Sequence, residues 1–285
     1  MKVSTTIADT RAAIAKARAE GARIGFVPTM GALHVGHLSL VERSAREADF
    51  TVMSIFVNPL QFAPTEDLSR YPRPLEEDER LASEAGVALL FRPGVAEMYA
   101  VHRTITVTAG SLGSRWEGKS RPGHFDGVLT VVAKLFNIVQ PDVAVFGQKD
   151  LQQAALVRAM VHDLDMPLEI AVSPVVREPD GLALSSRTRY LSPDDRRRAI
   201  LLSRALRSIR ERFDAGERSV HVLEEAGKRI VATESGVELD YLAVIDQRTF
   251  ENPDVAESGN SAIIAARVGS TRLIDNMTLG RNDQD

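Results

Sequence analysis

The sequence predicts an α/β fold, a doubly wound parallel sheet followed by a smaller α+β domain. Short apolar runs alternate with amphipathic stretches up to Val176, a pattern typical of strand–helix–strand units. Two of these runs, FTVMSIFV at 50–57 and VAVF at 143–146, are nearly all apolar, as strands covered on both faces tend to be. After Val176 a polar loop leads into charged helical segments and then into strands. We therefore expect two domains, over residues 1–175 and 176–285.

The predicted elements follow one another in regular alternation. Strands of the first domain are expected at 24–27, 50–57, 87–91, 143–146 and 168–176. Its helices, marked by the spacing of apolar residues, are expected at 10–20, 36–48, 75–85, 126–139 and 150–163. The second domain is expected to hold two helices and three antiparallel strands, at 193–214, 218–233, 240–246, 261–268 and 271–275.

Composition limits the classes of protein to consider. A chain of 285 residues, 44% hydrophobic and 26% charged, can bury a sizeable core. The absence of cysteine excludes disulfides, thiolate metal sites and cysteine nucleophiles, and it favours the cytoplasm. The N-terminus lacks an apolar signal core and no run of about eighteen apolar residues occurs, so we expect neither secretion nor a membrane span. The net charge of −4, with both signs mixed along the chain, argues against binding nucleic acid.

The first candidate site lies directly after the first predicted strand. The segment from Pro28 to His37, PTMGALHVGH, leads from that strand into a helix. Ligands of open parallel sheets lie beyond the carboxyl ends of strands, and a helix N-terminus offers N–H groups to phosphate. Gly31 and Gly36 allow close approach of the backbone, while His34 and His37 meet on one helical face and can donate hydrogen bonds to phosphate oxygens. Zinc is the alternative ligand of a His-x-x-His pair, but no third ligand is obvious nearby.

The second candidate site is the segment GQKD at 147–150, which ends another buried strand and begins a helix. Lys149 can neutralise phosphate charge. Asp150 can accept hydrogen bonds from ribose hydroxyls, or it can simply cap the helix. Gln153 lies one turn later on the same side of that helix.

Two further segments carry polar side chains that suit the same ligand. Ser185, Ser186 and Arg187, in the polar loop that opens the second domain, combine two hydroxyls with a guanidinium and suit a polyphosphate, although loop serines are usually turn formers. Gln61 follows a central strand and Asn58, where it can reach the same crevice and orient a hydroxy acid. Turn formation explains the Asn-Pro pair equally well.

Five separated motifs, in this order and spacing, resemble the pantothenate synthetase (pantoate–β-alanine ligase) family. They are PTMGALHVGH, FVNPLQF, RPGHFDGV, VFGQKDLQQ and LSSRTRYL. The resemblance extends over essentially the whole chain and includes TRLIDN near the C-terminus. The His-x-Gly-His element alone is shared more widely, by nucleotidyltransferases and class I aminoacyl-tRNA synthetases.

The resemblance implies an enzyme that uses MgATP to join (R)-pantoate to β-alanine, through a pantoyl-adenylate, with release of AMP and pyrophosphate. It implies a Rossmann-like domain for ATP and pantoate over residues 1–175 and a lid domain over 176–285. It further implies a cytoplasmic homodimer that makes pantothenate, the precursor of coenzyme A. The acidic stretch at 76–79 falls where relatives carry aspartates near the active site. No protein-held metal is predicted, because magnesium arrives with the nucleotide.

The resemblance also assigns roles residue by residue. His37 is similar to the family's catalytic proton donor, and His34, Lys149 and Arg187 complete the catalytic set. Pantoate is assigned to Gln61 and Gln153. Secondary candidates in other family motifs are Asn58, Arg121 and His124. The implied ATP site consists of Met30, Gly31, Ala32, Leu33, His34, Val35, Gly36, His37, Gly147, Gln148, Lys149, Asp150, Val176, Leu184, Ser185, Ser186 and Arg187.

Three alternative functions remain open at this point. A nucleotidyltransferase would adenylylate a substrate that bears a phosphate. A fragment of an aminoacyl-tRNA synthetase should carry an anticodon-binding domain or a basic surface, and the sequence shows neither. A nucleotide-binding module without enzymatic activity would not need Gln61 and Gln153 beside its phosphate site.

Overall fold

The computed structural model describes residues 1–64, 66, 68–99 and 103–280. The chain divides into two compact units. The N-terminal unit comprises Met1–Ser114, Arg121–Gly147 and Leu156–Ser173. The C-terminal unit comprises Arg115–Ser120, Gln148–Ala155 and Pro174–Asp285. Two short segments that precede residue 174 therefore belong to the C-terminal unit, and one of them carries Lys149.

The N-terminal unit is built on a six-stranded sheet in which neighbouring strands are parallel. Its strands are β1 (Lys2–Ser4), β2 (Ile24–Thr29), β3 (Phe50–Ile55), β4 (Leu89–Phe91), β5 (Val143–Gly147) and β6 (Glu169–Ser173). The order across the sheet is β1-β4-β3-β2-β5-β6. The predicted parallel sheet is confirmed, and β1 is an addition to it. Three residues are too few to display a hydrophobic period, so β1 escapes prediction from sequence.

The strand order places a change of winding direction in the middle of the sheet. From β2 the chain adds β3 and β4 on one side, and it then returns to add β5 and β6 on the other. The central strands β2 and β5 pair through Gly25 with Val143 and through Phe26 with Ala144. Their carboxyl ends therefore leave the sheet side by side, at the kind of reversal point where open α/β sheets bind ligands.

Helices alternate with these strands along the chain. They are α1 (Ile7–Ala19), α2 (Val35–Glu47), α3 (Leu75–Glu84), α4 (Val95–Met98), α5 (Trp116–Ser120), α6 (His124–Val139) and α7 (Leu151–Asp163). Helix α2 packs closely on β2 because residue 25 is a glycine, where a Cβ would lie 2.2 Å from the Ser44 hydroxyl oxygen. Helix α6 is buried along most of its length, and its Phe136 meets Phe26 and Phe146 edge to face in the core.

The C-terminal unit is an α+β structure with a second sheet. Its main elements are α8 (Pro193–Asp214), α9 (Val220–Val231), β7 (Val237–Ile245), β8 (Ser261–Val268) and β9 (Thr271–Thr278). The strands are antiparallel, as predicted, and their order in the sheet is β7-β8-β9. Ser192 caps helix α8, since its hydroxyl accepts a hydrogen bond from Asp195 N–H, and Pro193 is the first residue of the helix. Leu202, Leu206 and Ile264 belong to the apolar core of this unit.

Several predicted boundaries move by a few residues for identifiable reasons. Strand β6 ends at Ser173 rather than at 176, because Pro174 has no N–H to donate to a ladder. Helix α7 begins at Leu151, one residue later than predicted, because a 3₁₀ turn occupies Gln148–Asp150. Within the described ranges, none of the helices is long and apolar enough to cross a membrane.

Candidate active site

A buried carboxylate of α3 holds the shape of the loop that leaves β2. Gly31 and Ala32 both have positive φ, +83° and +51°, and the second is costly for a residue with a side chain. The N–H groups of Ala32 and Leu33 donate to the two carboxylate oxygens of Asp78, at 2.9 and 2.7 Å. Asp78 is 1% exposed, so these charge-assisted bonds compensate for its burial. A Cβ at Gly31 would lie 2.8 Å from the same carboxylate, which explains the glycine.

The acidic stretch at 76–79 therefore contains one residue that faces inward. Asp78 and the buried Ala82, four residues apart, share a helical face. Glu77 pairs instead with Arg80 at 2.8 Å on the surface. In the part of the chain that the structure describes, no group of three or more His, Cys, Asp or Glu side chains is arranged to hold a metal ion.

The two histidines lie at the start of α2. His34 caps the helix, and its Nδ1 accepts a hydrogen bond from Gly36 N–H at 3.1 Å. Because Nδ1 is the acceptor, the neutral ring carries its proton on Nε2, where it can be donated to a phosphate oxygen. His37 lies in the first turn, and the centroids of the two rings are 4.1 Å apart. The rings thus lie together at the positive end of the α2 dipole.

Gln61 is held by the asparagine that follows β3. The Asn58 side chain donates through Nδ2 to Gln61 Oε1 and to the Gly127 carbonyl, both at 3.0 Å. Its Oδ1 accepts from the Tyr99 hydroxyl at 2.8 Å, and burial raises the pKa of Tyr99 to about 12, so the phenol remains a donor at neutral pH. Gln61 Nε2 lies 3.1 Å from the sulfur of Met30. The structure therefore brings together Met30 and Gln61, two residues predicted for the site, and orients the Gln61 amide.

Arg121 and His124 lie beside the Gln61 backbone. Arg121 makes a bidentate pair with Glu66, at 2.7 and 2.9 Å, and its Nη1 donates to His124 Nε2 at 3.0 Å. A guanidinium can only donate, so His124 Nε2 is an acceptor and the ring proton lies on Nδ1. That Nδ1 donates to the Gln61 carbonyl at 2.9 Å. A neutral His124 thus links the Glu66–Arg121 pair to the residue predicted to bind pantoate.

The Glu66–Arg121 pair predicts a pH dependence of stability. Burial raises the pKa of Glu66, but the hydrogen bonds and charge of Arg121 outweigh it, so the pKa is lowered from its ordinary 4.5. The stabilisation is then fully present above about pH 4.5 and is lost as the pH falls through the lowered value. We expect the difference in unfolding free energy between the parent and Glu66→Gln to be constant above about pH 5 and to shrink below it.

Urea unfolding across this pH range measures that difference. Glu76→Gln, which removes an exposed carboxylate of α3, serves as the matched control. If the unfolding free energy of the parent exceeded that of Glu66→Gln by an amount that increased toward low pH, the assignment of the ion pair would be contradicted.

In the C-terminal unit, Lys149 stands in the 3₁₀ turn of Gln148–Asp150. Its ammonium lies 3.9 Å from Asp150 Oδ1, and its side chain is 21% exposed. Gln148 Nε2 donates to the Thr278 hydroxyl at 3.0 Å. Asn276 Nδ2 donates to the carbonyls of Gln148 and Lys149, at 2.8 and 2.9 Å. Strand β9 therefore holds the turn that carries Lys149.

Gln153 and its neighbour differ in their surroundings. Gln153 lies in the first turn of α7, where it is partly exposed. Gln152 is buried, and its amide accepts from Glu117 N–H at 3.1 Å and donates to the Arg115 carbonyl at 3.0 Å. Gln152 is therefore bonded to the protein backbone, which leaves Gln153 as the glutamine of this turn that can meet a ligand.

The loop that carries Ser185, Ser186 and Arg187 grows out of a short hairpin. Leu184 N–H donates to the Val176 carbonyl at 3.0 Å, which pairs the two predicted ATP contacts across the hairpin. The Ser185 hydroxyl accepts from Arg187 N–H at 3.3 Å and caps the 3₁₀ turn that follows. Its own proton is still available for donation, because a hydroxyl can accept and donate at once.

The predicted residues are divided between the two units. The N-terminal unit carries Met30–His37, Gln61 and Gly147, and it also holds Asn58, Arg121 and His124. The C-terminal unit carries Gln148–Asp150, Gln153, Val176 and Leu184–Arg187.

Four residues of these surroundings were not predicted as contributors. Asp78 and Glu66 lie in acidic or polar stretches that give no sign of which side chain is buried. Tyr99 and Asn276 reach their partners over long sequence separations, 41 residues in the case of Tyr99 and Asn58. The sequence signals for these residues were the presence of Asn276 in the TRLIDN segment and of Asp78 in the acidic stretch at 76–79.

The N-terminal unit is an open parallel sheet whose reversal point carries a glycine-containing loop and, at the amino end of a helix, a pair of histidines. This is the arrangement of a nucleotide-binding α/β protein. The chain belongs to the pantoate-beta-alanine ligase family, whose model matches residues 2–278. The family predicted from the five motifs is thereby confirmed.

Similar proteins cover nearly the whole chain. The pantothenate synthetase of Acidobacterium capsulatum is 51% identical, over 98% of this chain and 97% of its own. That of Acidothermus cellulolyticus is 53% identical, over 99% and 92%. The crystal structure of the Thermus thermophilus pantothenate synthetase, 49% identical, superposes with a TM-score of 0.93 over 98% of this chain and 99% of that one. The pantoate-beta-alanine ligase of Francisella tularensis, complexed with beta-gamma ATP and beta-alanine, is 32% identical with a TM-score of 0.82, and the match covers 100% of both chains.

Proposed function

We infer that this chain catalyses the ATP-dependent condensation of (R)-pantoate with β-alanine, giving pantothenate, AMP and pyrophosphate through a pantoyl-adenylate. The observation that carries the inference is the family match over residues 2–278, with the motif residues of the predicted site present throughout. The Francisella tularensis relative binds beta-gamma ATP and beta-alanine, two of the reactants or their analogues. ATP enters as its magnesium complex, and the product belongs to pantothenate biosynthesis.

The N-terminal unit supplies the phosphate-binding loop. His34 offers an Nε2 proton and His37 a second imidazole at the amino end of α2, where the helix dipole favours negative charge. The amides of Ala32 and Leu33 are already bonded to Asp78. These two residues therefore contribute the position of the loop rather than N–H donors for ATP.

The chemistry proceeds in two steps. The pantoate carboxylate attacks the α-phosphorus of MgATP, the bond from that phosphorus to the bridging oxygen breaks, and pyrophosphate leaves with additional negative charge. His34, His37, Lys149 and Arg187 stabilise that charge by position and electrostatics. The amine of β-alanine then attacks the carbonyl of the mixed anhydride, AMP leaves, and the amine loses a proton. Exclusion of water protects the adenylate between the two steps.

Gln61 suits an acid substrate because of how its amide is oriented. Asn58 occupies Gln61 Oε1, and Nε2 lies against the Met30 sulfur. A thioether is a weak acceptor, so a carboxylate or hydroxyl oxygen can replace it at little cost. We assign Gln61 Nε2 and Gln153 to pantoate.

Replacing Gln61 or Gln153 by alanine is expected to raise the KM for pantoate by about tenfold or more, because a lost hydrogen bond to a charged group costs roughly 1.5–3 kcal/mol. The KM for ATP should change by less than about threefold. Steady-state kinetics with each substrate varied in turn measures both constants. Gln152→Ala is the matched control, since that amide bonds to backbone groups. A raised KM for ATP with an unchanged KM for pantoate would overturn the assignment.

Several features complete the proposal. The strand order supports a Rossmann-like N-terminal domain. We propose that residues 1–175 and 176–285 are the two functional domains. The second is then a lid that brings Ser185, Ser186 and Arg187 to the nucleotide. The use of ATP and the absence of cysteine support work in the cytoplasm. The family resemblance supports a homodimer.

One assay tests the reaction. Purified protein with MgATP should release pyrophosphate when pantoate is added, and it should release AMP into solution at a sustained rate only when β-alanine is present as well. Pyrophosphate release that depends on a phosphate-bearing substrate, without AMP, would instead indicate a nucleotidyltransferase. ATP binding without either product would indicate a binding module.

A further inference from the structure

Strand β9 carries two adjacent buried polar residues that the chemistry proposed above does not use. Asp275 is 4% exposed and Asn276 is 2% exposed. Both belong to the TRLIDN segment, and both are bonded to segments far away in the sequence. Buried polar side chains are retained where their hydrogen bonds are complete, so the partners of these two residues indicate what they do.

Asn276 bonds to the backbone on both sides of Lys149. Its Nδ2 donates to the carbonyl of Gln148 at 2.8 Å and to the carbonyl of Lys149 at 2.9 Å. The first carbonyl belongs to the peptide plane that precedes the Lys149 Cα, and the second to the plane that follows it. A single amide group therefore restrains both planes, and with them the φ and ψ angles that set the direction of the Lys149 side chain.

Asp275, in the same strand, holds a second segment of the chain through Arg177. Its carboxylate makes a bidentate pair with Arg177, at 2.7 and 3.0 Å, and it accepts the N–H of Asn276 at 2.7 Å. Arg177 also donates to the carbonyls of Asn276, at 2.9 Å, and Gly181, at 3.0 Å. Burial raises the pKa of Asp275, and the charges of Arg177 and Lys149 act in the opposite direction.

Arg177 lies at the base of the loop that carries Ser185 and Ser186. Arg177 forms a bridge with Ala183, and the next pair outward joins Val176 to Leu184. That hairpin continues directly into Ser185, the first of the hydroxyl residues. The adjacent residues Asp275 and Asn276 thus hold the base of one predicted ATP segment and the turn of another.

We propose that Asn276 is a positioning residue for Lys149, and that Asp275 and Asn276 together hold the turn at 148–150 and the hairpin at 176–184 in one register. The proposal rests on the function assigned above to Lys149. A charged donor accelerates the reaction only if it is held where charge develops, and a displacement of about 1 Å can cost up to 10²-fold in rate. Asn276 touches no reacting atom in this scheme and acts through the lysine.

Two substitutions of Asn276 distinguish the effect of losing its hydrogen bonds from the effect of losing its side-chain volume. In Asn276→Ala both donors and the side-chain volume are lost. In Asn276→Asp the volume is kept, but a carboxylate faces two carbonyl oxygens with no donor between them. We expect kcat to fall about tenfold or more in both variants, and to fall at least as far in Asn276→Asp as in Asn276→Ala, with a pantoate KM within about twofold of the parent.

A matched control shows what loss of a buried asparagine does by itself. Asn260 lies in the same unit, is 7% exposed, and accepts the N–H of Glu257 at 2.8 Å. Asn260→Ala should lower the melting temperature but leave kcat within about twofold of the parent, because that loop carries no proposed ligand contact. All variants are assayed at a temperature at which circular dichroism shows them folded. Should Asn276→Ala be unfolded there, Asn276→Ser, which keeps one donor, takes its place with a smaller expected loss.

The decisive measurement is the double variant Lys149→Ala/Asn276→Ala. If Asn276 acts through Lys149, the double variant should be within about threefold of Lys149→Ala alone, since residues that act as one unit are not additive. Losses that multiply, or a folded Asn276→Asp variant with the parent's kcat, would overturn the proposal. A Lys149→Ala variant with the parent's rate would instead overturn the assigned role of Lys149. The two failures are therefore distinguishable.

Discussion

Lys149→Ala is expected to lower the rate of adenylate formation by about 10²-fold or more and to leave the fold intact. The lysine is the residue we assign to the charge that develops on the departing pyrophosphate, and one such donor contributes about 2.7–4 kcal/mol to the transition state. The ion pair of the lysine with Asp150 is long, at 3.9 Å, so little of the stability of the fold depends on its charge.

Release of pyrophosphate in a single turnover, with pantoate and MgATP but without β-alanine, isolates the step in question. Circular dichroism establishes that the variant is folded. Lys228→Ala removes a lysine of α9 in the same unit that pairs with Glu225 at 3.0 Å, and it should keep the parent's rate. Pyrophosphate release by Lys149→Ala within about threefold of the parent would show that another group neutralises the charge.

The second large effect is expected at His37. His37→Ala should lose about 10²-fold in adenylate formation, while His37→Asn should retain about tenfold more activity than the alanine variant, because an amide can still donate one hydrogen bond. His34 is the capping residue of α2, so a change there would disturb the helix start as well as the site. His37 is therefore the cleaner test of the phosphate-donor role.

Rates of pyrophosphate release measure this series, and His221→Ala, at an exposed histidine of α9, provides the control. Equal activity in the asparagine and alanine variants would remove hydrogen-bond donation as the function of His37.

Phosphate binding and zinc binding by His34 and His37 predict different effects of removing transition metals. Magnesium prefers oxygen ligands and arrives with ATP, whereas imidazole suits zinc. Dialysis against a zinc-selective chelator, followed by assay with added magnesium, is expected to restore full activity. Stoichiometric zinc in the purified protein, with activity that returns only when zinc is added, would replace the phosphate-donor assignment of His34 and His37.

A large part of the fold was predictable because its signals are local. Strand β5 is apolar over almost its whole length and helix α6 over most of it, and α8 spans the predicted residues because Ser192 and Pro193 mark its start. The candidate site segments could be proposed for a related reason: each of the loops that leave β2, β3 and β5 carries its polar groups within a few residues. The short strand β1, the end of β6 and the start of α7 depend on pairing and turns, which a period of apolar residues does not reveal.

What the sequence determined by itself was therefore most of the elements and the family, and it supplied the candidate side chains that we propose meet the substrates. What only the tertiary structure decided was how those side chains are held. Asp78 and Leu33 are 45 residues apart, Arg121 and Glu66 are 55 apart, and Asn276 and Lys149 are 127 apart. A hydrogen bond between such partners leaves no periodic trace in the sequence, because it depends on which strands are neighbours and on which residue of an acidic or polar stretch faces inward. The candidate reacting groups could be proposed from their motifs, whereas the residues that hold them became visible only when the strands and helices were packed together.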